Sequence, residues 1–263
     1  MSNIHPTAII EEGAIIGSNV TIGPFVTISS QSIIGNNTTI DAHANIAGKT
    51  TIGEGNHIFS HAVVGSIPQD LKFSGEEVEL VIGDNNKIRE FTLINPGTKG
   101  GGSITKIGNN NLLMGYVHLG HDVIIGDNCI LANGATLAGH VELGNNVVVG
   151  GLTPVHQFVH IGDFAMIGGA SALSQDIPPY CLAEGNRATL RGLNLTGLRR
   201  QISRDEINEL KIAYRELFEQ AHPLQEKAEE LLTKSKSEVV KNLVKFITQS
   251  KRGIPYIRKN ING

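Results

Sequence analysis

Aliphatic residues recur along this chain at every sixth position. From Ile4 the series runs through Ile10, Ile16, Ile22, Ile28, Ile34, Ile40, Ile46, Ile52 and Ile58 to Val64. It fails at Asp70 and Glu76, resumes at Ile82, Ile88 and Ile94, and after one additional residue continues from Ile107 to Leu173. Glycine often follows the aliphatic, and the fourth residue after it is usually small or β-branched, as at Ala14, Val20, Val26, Ser32, Thr38 and Ala44. The run Ile-Gly-Asn/Asp-Asn recurs, for example at Ile34–Asn37 and Ile82–Asn85. Glycine and asparagine tolerate the left-handed backbone that sharp corners require. A period of six with one deep aliphatic therefore predicts a short strand followed by a corner. Three such units close a triangular coil, and successive coils stack as parallel strands about 4.8 Å apart. Collagen, whose glycine period is three, is excluded.

Two segments interrupt the repeat. Residues 66–80 (SIPQDLKFSGEEVEL) are polar with turn residues and predict a projecting loop; Gly100-Gly101-Gly102-Ser103 predicts a flexible bulge. After Pro178-Pro179 the period changes. Ser203 and Glu206 form a capping-box signature, and Ile207, Leu210, Tyr214 and Leu217 follow at helical spacing. A second helix is expected over Gln225–Leu232. A third is expected from about Ser237, with Val240, Leu243, Val244 and Ile247 on one face. The chain thus divides into a mainly β repeat domain, residues 1–186, and a small helical domain, residues 187–263.

Composition narrows the setting. Among 263 residues there are 31 glycines and no tryptophan, which suits many short strands and tight corners. Two cysteines, Cys129 and Cys181, are too few for a disulfide framework. The opening MSNIHPTAII has neither the basic n-region nor the apolar run of a signal peptide. A cytoplasmic protein without a membrane span is expected. Charge is divided unevenly. Residues 187–263 hold 16 of the 22 Lys and Arg but 9 of the 25 Asp and Glu, a balance of +7, against −10 for residues 1–186. Such a tail can receive an acidic partner.

Histidines carry the chemistry. With an 18-residue coil, His121, His140 and His156 fall near one edge on successive coils. Imidazole is suited to take a proton from an attacking hydroxyl, and a backbone N–H beside glycine can approach a developing oxyanion. No G-x-S-x-G nucleophile motif is present, which favours direct acyl transfer over a covalent intermediate. His5, His43, His57, His160 and His222 read as ordinary surface residues, and His61 is open.

The hexads, the loop QDLKFSGE (69–76), and the stretches NLLMGYVHLGHD (111–122), ILANGATLAGHV (130–141), TPVHQF (153–158) and QDIPPY (175–180) resemble the UDP-N-acetylglucosamine 3-O-acyltransferase family over nearly the whole chain. The resemblance implies a left-handed parallel β-helix of hexapeptide repeats and a homotrimer with sites between subunits. It implies transfer of a 3-hydroxyacyl chain from acyl carrier protein to UDP-N-acetylglucosamine, the first step of lipid A synthesis, with no cofactor, no metal and no nucleic acid. Under it His121 is the general base, Asp122 its orienting carboxylate and Gly139 the oxyanion donor. His118, His140 and His156 position substrate. Gln69, Asp70 and Lys72 meet the sugar or phosphates, Gln157, Asn194 and Arg200 the UDP, and Gly169 limits acyl length. Asn95 and Arg187 stand where many relatives carry histidine, and Asn95 opens the 3-amino analogue of the sugar as an acceptor. The competing readings are another hexapeptide acyltransferase, a histidine-ligated metal hydratase and a non-catalytic solenoid.

Overall fold

The structure, a computed structural model, describes residues 2–257. Nearly every hexad forms a two-residue strand, and the strands assemble into three sheets of eleven, eight and eight strands, parallel except for the last pair of the first sheet. Register follows the expected coil: Ile22 pairs with Ile40, Ile28 with Ile46 and Ile34 with Ile52, one pair in each sheet. The second residue of each strand points inward, and Ile22, Ile28, Ile34, Ile40, Ile46, Ile52 and Ile58 are at most 1 % exposed. Burying each such side chain stabilises the fold by roughly 1.5–3 kcal/mol relative to exposure. The chain is therefore a parallel β-helix with an aliphatic axis.

The Ile-Gly-Asn/Asp-Asn motif builds the corner between the third and first sheets. Side-chain oxygens of Asn109, Asp127, Asn145 and Asp163 each accept the backbone N–H of the residue one coil below, at 2.6–2.8 Å. Inside that corner Asn86 donates to the Asn56 side chain, and the N–H groups of Asn111 and Cys129 donate to Asn86 and Asn111. Buried corner amides are thus paired by a polar ladder rather than left without partners. The following residue is left-handed, φ near 57°, at Asn19, Asn37, Asn85, Asn110, Asn128 and Asn146.

At the corner between the second and third sheets some left-handed positions hold the expected glycine, as at Gly13 and Gly48, and others do not, as at Asp122, His140 and Phe158. Between the first and second sheets the left-handed position holds Phe25, His43, His61, Phe91 and Tyr116. Bulky side chains rarely adopt this conformation. Here the coil repeat places their rings face to face, with centroids 5.1, 4.9, 5.1 and 5.0 Å apart. Stacking at the strand spacing offsets the backbone cost.

Both interruptions leave the coil at one place, the corner between the second and third sheets. The first lies between strands Val63–Val64 and Glu79–Ile82, so its last two expected residues, Glu79 and Leu80, belong to a strand. The second contains a 3₁₀ turn, Lys99–Gly101. Register survives both: Ile82 pairs with Ile52 below and Ile107 above.

At the C-terminal end, strand Cys181–Glu184 extends the first sheet and pairs antiparallel with Thr189–Leu193, a hairpin the repeat did not announce. The expected boundary at 186/187 falls in its turn. Helices α1 (Leu195–Leu198), α2 (Arg204–Phe218), α3 (Leu224–Lys234) and α4 (Glu238–Gln249) follow. Ser203 and Glu206 do form a capping box, and α3 is longer than expected at both ends. Buried Asp176 latches the terminal segment to the last coil, accepting from the Ser250 hydroxyl (2.6 Å) and the N–H groups of Arg252 (3.2 Å) and His160 (2.9 Å). The first coil has no such cover among the described residues: inward-facing Ile4 is 43 % exposed, and Ile10 and Ile16 are only half-buried, unlike the axial isoleucines of later coils. No helix among the described residues is long and apolar enough to cross a membrane.

Candidate active site

The corner between the second and third sheets collects most of the predicted chemistry. It carries the loop with Gln69, Asp70 and Lys72, the turn from Thr98 to Ser103, and His121, Asp122, Gly139, His140, His156 and Gln157. His121 lies in the turn after strand His118–Leu119, and its Nδ1 is 2.8 Å from Asp122 Oδ2. An ionised carboxylate only accepts, so Nδ1 carries the proton and Nε2 is left as the basic nitrogen. Asp122 is left-handed (φ 59°) and its side chain is buried. It also accepts from Thr98 twice, Oδ1 from the backbone N–H at 2.9 Å and Oδ2 from the hydroxyl at 2.6 Å. Thr98 was not among the residues singled out from the sequence; its place two residues before the glycine run was the available signal.

One coil up, Gly139 lies over the His121 ring so closely that a Cβ there would sit 2.6 Å from Nε2. Among the described residues its N–H donates to no protein acceptor. His140 meets His121 edge to face at 4.9 Å and stacks on Phe158 at 4.3 Å. Burial holds His140 below the ordinary imidazole range, with nearby Asp122 and Asp70 acting in the opposite direction. His118 faces outward from the second sheet; burial depresses its basicity too, and its Nδ1 is buried with no hydrogen-bond partner among the described residues.

A cavity of about 520 Å³ opens between this corner and the loop, lined by Asp70, Lys72, Glu76, Lys99, His140 and Phe158 among others. That is within the range for small-molecule sites, about 300–1,000 Å³. Phe158, Glu76 and Lys99 were not anticipated, since nothing in the hexad pattern separates them from corner or loop filler. His121, Asp122 and His140 bring donor atoms within 4.8 Å of one another. Asp122, however, already accepts from Thr98 twice and from His121, so the arrangement is suited to handling a proton.

Other predicted residues lie elsewhere. Asn95 is buried beneath the loop, donating to the carbonyls of Ser66 (3.0 Å) and Ile67 (3.1 Å), with only Oδ1 unpartnered. Asn194 caps α1, accepting from Gly197 N–H and donating to Phe164 O, at the corner between the third and first sheets. Arg200 is exposed just after α1, and His156 and Gln157 are exposed one coil above Gly139. Gly169 is exposed at the corner between the first and second sheets, across the second sheet from His121. One copy of the chain does not bring Asn194 or Gly169, which stand at the other two corners, together with the histidines.

Two family models match: bacterial transferase hexapeptide (six repeats) over residues 104–139, and UDP N-acetylglucosamine O-acyltransferase, domain 2, over residues 176–255. A protein of Sulfurovum sp. (strain NBC37-1) called acyl-[acyl-carrier-protein]–UDP-N-acetylglucosamine O-acyltransferase is 75 % identical over 99 % of this chain and 100 % of its own. A protein of Aliarcobacter butzleri with the same name is 68 % identical over 98 and 100 %. The solved UDP-N-acetylglucosamine acyltransferase from Campylobacter jejuni superposes with a TM-score of 0.94 at 52 % identity, covering 97 % of this chain and 100 % of the other.

Proposed function

This chain belongs to the acyl-[acyl-carrier-protein]–UDP-N-acetylglucosamine O-acyltransferase family, and from that premise we propose that it moves a 3-hydroxyacyl group from acyl carrier protein to the 3-position of UDP-N-acetylglucosamine, opening lipid A synthesis, with His121 as base. The observation that carries this reading is the oriented His121–Asp122 pair under the unused N–H of Gly139, beside a cavity with lysines at its wall. His121 Nε2 takes the proton of the sugar hydroxyl as its oxygen attacks the thioester carbonyl. The tetrahedral oxyanion receives the Gly139 N–H. The intermediate collapses, the C–S bond breaks, and the thiolate leaves with the proton that His121 returns. Lys72 and Lys99, in no ion pair among the described residues, suit the diphosphate.

Gly169, Asn194 and Arg200 complete such a site only from an adjacent copy, which supports a homotrimer as the working form. The acyl groove then runs between two copies. Gly169 is 48 residues beyond His121, about 2.7 coils of ~4.8 Å, or roughly 13 Å of axis. At about 1.25 Å per methylene that is on the order of ten carbons. A Cβ at Gly169 meets only ordinary contacts, with Gly151 O at 3.4 Å. Gly169→Met is therefore expected to fold and to shift preference toward shorter acyl donors while retaining turnover. An unchanged length profile would place the measuring residue elsewhere.

The reading itself is tested by product mass with purified acyl carrier protein and acyl-CoA donors, crossed with UDP-N-acetylglucosamine and its 3-amino analogue. Transfer from carrier protein is expected, weakening severalfold from low to high salt as the +7 tail is screened over about 8–10 Å at 0.1–0.15 M. Equal use of acyl-CoA without salt dependence would reject the carrier. The acceptor arm decides what Asn95 does: preference for the 3-amino sugar would give its free Oδ1 a role in selection, and preference for the hydroxyl leaves it as the tether of the loop.

A further inference from the structure

We infer that Thr98 is a positioning residue for the acyl transfer, and that the turn from Thr98 to Ser103 is a clasp that fixes the Asp122 carboxylate and tempers its hold on the catalytic imidazole. The inference rests on the reading of His121 as base.

Asp122 stands at a left-handed corner with its side chain buried, and its geometry is set by very few groups. Its backbone N–H donates to Thr105 Oγ1 at 2.9 Å, which anchors the main chain. Its carboxylate is held from the opposite side by Thr98, whose backbone N–H meets Oδ1 and whose hydroxyl meets Oδ2. Oδ2 is also the oxygen that faces His121 Nδ1. One oxygen therefore serves two donors, the Thr98 hydroxyl at 2.6 Å and the imidazole at 2.8 Å. The fourth wall is Gly101: a Cβ there would fall within the carboxylate itself, so the turn packs its main chain directly on Asp122. The turn stays closed through Gly101 N–H and Ser103 N–H, both donating to Thr98 O at 2.9 and 2.8 Å. This accounts for glycine at 101, and the left-handed φ of 99° accounts for glycine at 102.

A hydrogen bond to a carboxylate spreads its charge. Without the Thr98 hydroxyl, Asp122 stabilises protonated His121 more strongly. A protonated imidazole is not a base, so activity should then be lost at higher pH. The other charged groups around the ring, His140 and the cavity residues Asp70, Lys72, Glu76 and Lys99, are untouched by the change.

The experiment compares pH profiles of kcat/KM for the wild type, Thr98→Val, Thr98→Ser and His121→Ala, with acyl carrier protein as donor and thermal melts alongside. In Thr98→Val the acid limb is expected to move up by ~0.5–1 pH unit and kcat to fall about tenfold, with KM for the UDP-sugar little changed. Thr98→Ser, which keeps the hydroxyl, should restore both. The inference is overturned if Thr98→Val has a wild-type profile, if it loses turnover with the acid limb in place, or if serine does not rescue it. An inactive His121→Ala beside an unmoved Thr98→Val removes the clasp alone. An active His121→Ala removes the base and the clasp together.

Discussion

Replacing His121 by alanine is expected to lower kcat/KM by about 10²–10⁴-fold, the usual contribution of a general base. The fold should survive. The ring sits on a corner outside the aliphatic axis, and its one hydrogen bond among the described residues goes to Asp122. With the ring gone that carboxylate still accepts both Thr98 donors and is not left unsatisfied. A melting curve like that of the wild type, with single-turnover rates near background, is the expected pair of measurements. Near-normal turnover in the folded variant would remove His121 from the chemistry.

Gly139→Ala is expected to cost a comparable amount by a different route. Its backbone is not left-handed, so alanine brings no conformational penalty of its own. The new methyl would stand 2.6 Å from His121 Nε2, closer than real contacts allow, and one of the two must move. A displacement of about 1 Å at a reacting group can cost on the order of 10²-fold, and a misdirected oxyanion donor costs about 10²–10³-fold. The two contributions separate in a double-mutant cycle. In the His121→Ala background the collision vanishes, and only the oxyanion component should remain. Full additivity of the two losses would show that the methyl does not act through the ring.

The repeat was legible because one physical constraint, an aliphatic at the axis of every strand, is written at every sixth residue. The capping box at Ser203 and the apolar face of α4 were legible for the same reason, being local and periodic. The hairpin at Cys181–Leu193 was not, because its first strand is specified by the open edge of the sheet it joins. The site was half legible. Coil arithmetic places His121, His140 and His156 on one corner, since stacking is a matter of counting. Thr98 could not be reached by counting, because the inserted residues break the 18-residue offset. Asn194 was assigned to the nucleotide by resemblance, and within one copy its amide is taken up by the α1 cap and Phe164.

The two ends of the coil are unlike, and this gives the molecule a direction in which it comes apart. In a stacked repeat each turn is held only by its neighbours, so opening begins at a free end and travels inward. The end at Ile4, Ile10 and Ile16, where the inward-facing residues are incompletely buried, is wet, while the other is sealed by a hairpin, helices and the Asp176 latch. Amide exchange should therefore advance as a front from the early coils. The histidine corner lies toward the sealed end, so the early coils can fray and re-form many times while the His121–Asp122 pair and the turn packed on it remain assembled.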